Sequence, residues 1–293
     1  MQIVHYGKDR FPSPCVLLLG YFDGMHVGHR ALLCKAKEEA RSRGAAVGIM
    51  TFTHAKKGGQ IYLFEERLCL FRELGIDFVL AAEFDEKFKN TSPLQFLQIV
   101  CACAPVRAFV CGKDFTFGKG AQGDAEFLKT YSKENNIDVF VEELVGFGGE
   151  KAAGTLAKRY LDEGDVLSLQ KLLGGKYFIL GRVSTEGRHV GRKIGFPTAN
   201  IHVSGEKYPL KKGVYAVSAR LDGKEYRGIA NYGARPTFGD GRVVLEAYFD
   251  GYTGDLYGKE IAVYFDGFLR EIKKFDSAEA LSAQLTKDLE KIR

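Results

Sequence analysis

At 293 residues the chain is too long for one typical compact domain and long enough for two that each bury a core, and its 45% hydrophobic and 27% charged residues exclude a disordered chain. Lys and Arg number 42 against 37 Asp and Glu, a net charge of +5 scattered without a basic stripe, so no nucleic-acid partner is expected and small anions suit the chain as well. No apolar run approaches the ~20 residues that span a bilayer, and the start, MQIVHYGKDRFPSP, lacks a signal-peptide layout, so the expectation is a cytoplasmic protein with no membrane partner.

From the N-terminus, strand and helix alternate. An apolar strand over Cys15 to Phe22 is followed by a helix over Val27 to Arg43, closed by Gly44, and a strand over Ala45 to Phe52. A helix over Phe64 to Leu74, a strand over Ile76 to Phe84, a helix over Pro93 to Ala102 and a strand over Val106 to Cys111 complete the pattern. Such alternation predicts a doubly wound parallel sheet, with ligands at the carboxyl ends of its strands. A helical stretch, LAKRYLDEGDVLSLQKLLG, leads out of it. From Tyr177 onward short alternating runs such as GVYAVSARL and KEIAVYFDGFLRE are punctuated by Asp-Gly turns, the texture of an antiparallel barrel or sandwich. A last helix begins with Asp276 or Ser277 as N-cap and carries Leu281, Leu285, Leu289 and Ile292 along one face. The domain boundary is placed at 173/174, giving domains 1–173 and 174–293.

All six cysteines, Cys15, Cys34, Cys69, Cys101, Cys103 and Cys111, fall in the first 111 residues without a C-x-x-C pair. Reduced, buried thiols are expected, with a metal or redox pair at Cys101 and Cys103 as the alternative.

The first strand ends in Gly20-Tyr21-Phe22-Asp23-Gly24, directly before a helix. Backbone N–H groups and the positive end of the helix dipole then converge on one spot, which suits a phosphate. His26 and His29 share one face of the helix start, and Gly28 between them lets a ligand approach the backbone. Capping and packing, or a metal pair, are the other uses of this spacing.

In the second half, GRVSTEGRHVGRKIGFPTANI carries Gly181, Gly187, Gly191 and Gly195 around Arg188, Arg192 and Lys193, a loop whose amides and cations could wrap polyphosphate. It runs into Thr198 and Asn200, which in an extended segment present a hydroxyl and an amide oxygen to one side. Hard oxygens of that kind suit Mg²⁺.

These strings resemble one family. GYFDGMHVGH is similar to the H-x-G-H signature of nucleotidyltransferases, in the form found in prokaryotic bifunctional riboflavin kinase/FAD synthetases. The stretch from Lys176 to Arg293, including PTAN, KKGVYAV, GIANYGARPTFGD and LEAYFDGYTGDLYGKEIAVYFDGFLREIKKF, closely resembles the riboflavin kinase domain. The resemblance implies an N-terminal Rossmann-like nucleotidyltransferase domain and a C-terminal antiparallel β-barrel with a terminal helix. It also implies riboflavin, FMN and ATP as substrates, with Mg²⁺ accompanying ATP. By the same resemblance Thr198 and Asn200 would hold Mg–ATP, and Glu246 would take the proton of the ribityl hydroxyl. The turn residues Gly20, Phe22, Asp23, Gly24, His26, Gly28 and His29 would steady ATP phosphates, while Asp114, Phe115 and Phe117 of GKDFTFGKGAQGD would lie on the flavin side. Arg270 would be either a surface cation or a contact to flavin or phosphate.

The chain departs from the family pattern at three places in the first domain, and in the second at Tyr248, where a histidine is common two residues after the glutamate. Tyr21 replaces an asparagine, and THAK stands where a P-H-P turn is usual, which turns His54 to the other side. Ala152-Ala153-Gly154-Thr155-Leu156-Ala157-Lys158 occupies the place of the I-S-S-T-x-I-R segment that grips ATP, keeping Thr155 and putting Lys158 where a bidentate arginine is usual. The expectation is therefore riboflavin phosphorylation together with a weakened adenylylation of FMN. The alternatives are a monofunctional kinase with a degenerate first domain, and a flavin- or nucleotide-sensing protein. Self-association is left open.

Overall fold

The structure is a computed structural model that describes residues 1–54, 58–143, 145–185, 198–234 and 243–293. The run CVLLL forms strand β2 (Cys15–Leu19), buried at every position, as a strand covered on both faces by helices must be. It pairs in parallel with β3 (Ala46–Phe52) and β5 (Val106–Gly112). With β1 (Gln2–His5), β4 (Phe78–Ala82) and β6 (Asp138–Glu142) the sheet runs β1-β4-β3-β2-β5-β6, every neighbour parallel.

Helices cover both faces. α1 (Val27–Arg43) and α2 (Phe64–Glu73) bury Leu32, Leu33, Ala36, Leu68 and Phe71 on one side; α4 (Pro93–Cys103) and α5 (Ala125–Glu134) bury Phe96, Leu97, Val100 and Leu128 on the other. α3 (Glu86–Lys89) is a single turn. The chain leaves β2 through α1 toward β3 and later returns through α4 to β5 on the opposite flank. The carboxyl ends of β2 and β5 thus border the crevice where ligands of such sheets bind. β2 stops at Leu19 rather than at Phe22, because Phe22 takes a left-handed conformation with φ 48° that no strand continues. A hairpin of β7 (Gly146–Phe147) and β8 (Glu150–Lys151) follows β6.

The chain divides into two compact units, Met1–Leu156 and Ala157–Arg293. α6 (Gly154–Glu163) spans that division. Gly164, at φ 74°, breaks the expected single helical stretch, and Asp165 caps α7 (Val166–Leu173) through Ser168 N.

The second unit is the antiparallel barrel, β9 (Phe178–Arg182), β10 (Ala199–His202), β11 (Gly213–Leu221), β12 (Lys224–Ala234), β13 (Val243–Phe249) and β14 (Glu260–Arg270), in the order β10-β13-β12-β11-β14-β9. A bridge between Val183 and Ile201, with Ser184 N donating to Asn200 O at 2.8 Å, joins the two ends of that order into a ring. α7 packs on it, Gln170 Nε2 donating to Phe265 O at 2.7 Å. The terminal helix α8 (Ala278–Glu290) is capped by Ser277. No disulfide forms among the six thiols: Cys15, Cys103 and Cys111 are buried, Cys69 and Cys101 half-buried, and Cys34 on α1 is exposed, contrary to the expectation for that one.

Candidate active sites

In the first unit the GYFDG turn is braced from behind. Asp23, 7% exposed, accepts from Ile61 N at 3.0 Å. Thr51 Oγ1 donates to Tyr21 O at 2.5 Å and in turn accepts from Arg67 Nη1 at 2.6 Å. Arg67 is wholly buried, and its Nη2 donates to Phe52 O and Gln60 Oε1. Burial lowers its pKa, and Asp23 opposes that shift. Sequence reading missed Arg67, because a lone arginine within FEERLCLF reads as a solvated helix residue. Asp23, expected at phosphate, turns its carboxylate to the protein. Gly20 is required by Phe22, whose ring lies 2.8 Å from where a Cβ would stand.

His26 is the N-cap of α1, and its Nδ1 accepts from His29 N at 3.3 Å. The His26 proton therefore sits on Nε2. His29 Nδ1 lies 2.7 Å from Gly24 O, an atom that only accepts, so His29 carries its proton on Nδ1 and keeps a lone pair on Nε2. The rings stack at 3.6 Å between centroids, and Phe22 lies 4.7 Å from His29. Burial lowers the His26 pKa to about 3, with the charges of His29 and Lys151 adding to it. Burial takes His29 to about 4 against the Gly24 hydrogen bond and the Asp114 charge, which raise it. Gly28 leaves room for the His26 ring, 3.2 Å from an added Cβ. Two neutral imidazoles thus stand stacked at the N-terminus of α1.

Asp114, following β5, is exposed and pairs with Lys151 of β8 at 2.5 Å. Lys151, which sequence reading did not select, is thereby placed close enough to act electrostatically on His26. In GKDFTFGKG, Phe117 is 6% exposed, stacked with Phe115 at 5.4 Å and wedged against Phe96 and Phe127, so it is a core residue; Phe115 is the half-exposed ring. Gly118 is fixed by Pro93, whose atoms lie 2.8 Å from an added Cβ. Thr155 is exposed in the first turn of α6. Lys158 lies in the second unit with its ammonium 4.8 Å from the Tyr208 ring centroid. His54 is exposed beyond β3.

In the barrel, register does the positioning. Asn200 on β10 is the direct partner of Glu246 on β13, and Glu246 is the direct partner of Asn231 on β12. The neighbours Ala199, Ile201, Leu245, Ala247, Ala230 and Tyr232 are all buried, so alternation puts the three polar residues together on the opposite face. Asn200 Nδ2 reaches toward Thr198 O at 3.4 Å, which gathers those two expected ligands. Their oxygens are neutral and hard. Among the described residues no group of three or more His, Cys, Asp or Glu could hold a metal. A hydroxyl and an amide oxygen fit a Mg²⁺ whose remaining ligands arrive with phosphate. Gly181 of β9, expected at phosphate, pairs with Ile261 of β14, and a Cβ there would meet Ile201 at 2.4 Å, so packing accounts for it. Gly187, Arg188, Gly191, Arg192 and Lys193 lie outside the described residues.

Arg270 is not a free surface cation. Its Nε and Nη2 lie 2.9 and 2.7 Å from Asp288 Oδ2, and Asp288 is fully buried on α8, where Gln284 Nε2 also donates to it. The pair ties the terminal helix to β14.

Residues 8–156 match the FAD synthetase family model, and residues 173–293 match the riboflavin kinase family model. The bifunctional riboflavin kinase/FMN adenylyltransferase of Escherichia coli (strain K12) is 34% identical over 284 residues, covering 94% of this chain and 90% of that protein. The protein of the same description from Bacillus subtilis (strain 168) is 32% identical over 285 residues, covering 93% and 90%. A crystal structure described as a macrolide-efflux protein from Streptococcus pneumoniae superposes with a TM-score of 0.87 at 29% identity, over 99% of this chain and 98% of that one. Among the described residues here, no helix is long and apolar enough to cross a membrane.

Proposed function

The chain belongs to the bifunctional riboflavin kinase/FMN adenylyltransferase family, and from that premise we infer that it makes both flavin cofactors. Riboflavin and ATP give FMN and ADP; FMN and a second ATP give FAD and pyrophosphate. We assign adenylylation to residues 1–173 and phosphorylation to 174–293.

The observation that carries the kinase reading is the direct cross-strand pairing of Asn200 with Glu246. Adjacent strands lie about 4.8 Å apart. A nucleotide held by Thr198 and Asn200 therefore brings its terminal phosphoryl beside the carboxylate. Glu246 accepts the proton of the ribityl terminal hydroxyl as its oxygen attacks the γ-phosphorus, and ADP departs. Thr198 and Asn200 would hold Mg²⁺, which when bound offsets charge on the phosphate oxygens. Little covalent work falls to the protein beyond this. Position and charge supply the rate.

At the first site a phosphate oxygen of FMN attacks the α-phosphorus of ATP and pyrophosphate leaves, a step that needs no base. His26 offers an Nε2–H, the N-terminus of α1 offers the positive end of its dipole, and His29 offers Nε2 once that atom takes a proton. Lys158 is engaged with Tyr208, so we assign the phosphate-facing cation to Lys151 instead. Thr155 adds a hydroxyl at the start of α6. Phe115 is the ring exposed to meet the isoalloxazine. Arg67, Thr51 and Asp23 hold the turn in shape.

Purified chain incubated with riboflavin, ATP and Mg²⁺, with chromatographic separation of flavins, tests both steps. FMN followed by FAD is expected. Absence of FMN overturns the kinase assignment; accumulation of FMN without FAD overturns the adenylyltransferase assignment.

A further inference from the structure

Two polar residues stand directly opposite Glu246 on the adjacent strands, and only Asn200 is accounted for above. The other is Asn231, one strand further along the row on β12. Directly opposed residues of antiparallel strands project together, with Cβ atoms ~4.5–5.5 Å apart. Asn200, Glu246 and Asn231 thus form a polar line about 10 Å long with the carboxylate in the middle. Beyond Asn231 the line meets Val214, which is buried, and then Arg270, which is held by Asp288. The line is therefore asymmetric: metal-type oxygens on one side of the carboxylate, and on the other a single amide closed off by an apolar side chain and the terminal helix.

The oxygen of that amide is the anomaly. Among the described residues, Asn231 Oδ1 is buried and has no hydrogen-bond partner. Buried acceptors are rarely left unmade, since the desolvation is then uncompensated. Its neighbours in the row offer no donor: the Glu246 carboxylate accepts, and Val214 is apolar. Phosphate oxygens only accept as well, so the nucleotide does not complete it. A polyhydroxylated alkyl chain does, because every secondary hydroxyl carries a donor.

We propose that Asn231 is a specificity-determining contact for the alcohol substrate: its Oδ1 accepts from a secondary hydroxyl of the ribityl chain while Glu246 faces the terminal one. This rests on the kinase reading. The substrate then crosses the line of strands, nucleotide on the β10 side and polyol on the β12 side. Recognition extends beyond the flavin ring to the hydroxylated tail.

The test compares riboflavin with a flavin bearing an unbranched 5-hydroxypentyl chain, which keeps the terminal hydroxyl and lacks the secondary ones. Wild-type protein is expected to favour riboflavin by about tenfold in kcat/KM, the scale of one hydrogen bond. Asn231→Leu, similar in volume and without an acceptor, should bring the ratio near one. Asn231→Asp, which keeps an acceptor, should hold it clearly above that of Asn231→Leu. A wild-type ratio near one overturns the proposal before any variant is made. So does an Asn231→Leu variant that slows both substrates equally, or one that raises the KM for Mg–ATP and leaves the ratio intact, which would place Oδ1 on the metal. If the wild-type chain phosphorylates neither flavin, the kinase reading itself has failed.

Discussion

Lys151 Nζ rests 2.5 Å from Asp114 Oδ2, a contact that brings the last residue of a two-residue strand to the carboxyl end of β5. Both side chains are about half exposed, so the pair adds little stability. On the proposed assignment its value is in holding a cation within electrostatic reach of His26. Lys151→Ala is expected to lower kcat/KM for FMN adenylylation by about 10- to 100-fold, the range of one charge-assisted hydrogen bond. Riboflavin phosphorylation should stay within about twofold, and Lys158→Ala should change adenylylation by less than about threefold. Separate assays with riboflavin and with supplied FMN decide this. An effect of Lys158→Ala exceeding that of Lys151→Ala would return the role to position 158.

Glu246→Gln keeps the size and polarity of the side chain and removes the proton acceptor. Loss of a general base costs ~10²–10⁴ in rate. FMN formation should fall by that factor while adenylylation of supplied FMN continues. Chromatographic rates for both substrates in the one variant check it, and loss of both activities together would point to misfolding instead.

Proton placement at His29 predicts a pH dependence. The folded-state pKa is lowered to about 4 from an ordinary 6.5, so above pH 6.5 the ring is neutral folded or unfolded. As pH falls below 6.5 the unfolded chain takes the proton first, and the first unit loses stability progressively down to about pH 4. Phosphate reverses the balance by rewarding an Nε2–H. ATP binding near pH 7 should therefore take up protons, approaching one per site, and His29→Gln should abolish the uptake. Calorimetry in two buffers of different ionisation enthalpy measures it; identical apparent enthalpies in wild type would refute the assignment.

Asp288 has no exposed surface and neutralises Arg270. Asp288→Leu leaves a guanidinium buried and unpaired, a loss of about 3–5 kcal/mol. Urea denaturation should show the barrel destabilised by that amount. Riboflavin phosphorylation should fall with it and FMN adenylylation persist.

Periodicity made the first sheet legible. A strand buried on both faces is a continuous apolar run, and CVLLL and FVLAA are such runs. The histidine turn was legible because a glycine-rich strand end before a helix has few other uses. The edge strand QIVH was not, for its burial pattern shows a single buried residue and its partner β4 is remote in sequence. Lys151 and Arg67 stayed hidden for a related reason: each owes its place to a contact with a distant segment, Asp114 in one case and Thr51 in the other. Asn231 lay in plain view within GIANYGARPTFGD, but only register reveals that it stands opposite Glu246. Arg270 was read as a question between solvent and ligand, and Asp288, 18 residues on, supplies an answer that no local pattern contains.

Strand order also sets a timetable for synthesis. Every member of the parallel sheet has left the ribosome once Glu142 has emerged, so that sheet is able to finish pairing before any barrel strand exists. The barrel must wait. Among the described residues β9, its first strand to be made, is hydrogen-bonded along its length only to β14, its last, and β11 is flanked on one side by β14 as well. A nascent chain halted before Glu260 therefore carries a completed sheet joined to an unclosed one with bare edges, the form most prone to aggregate.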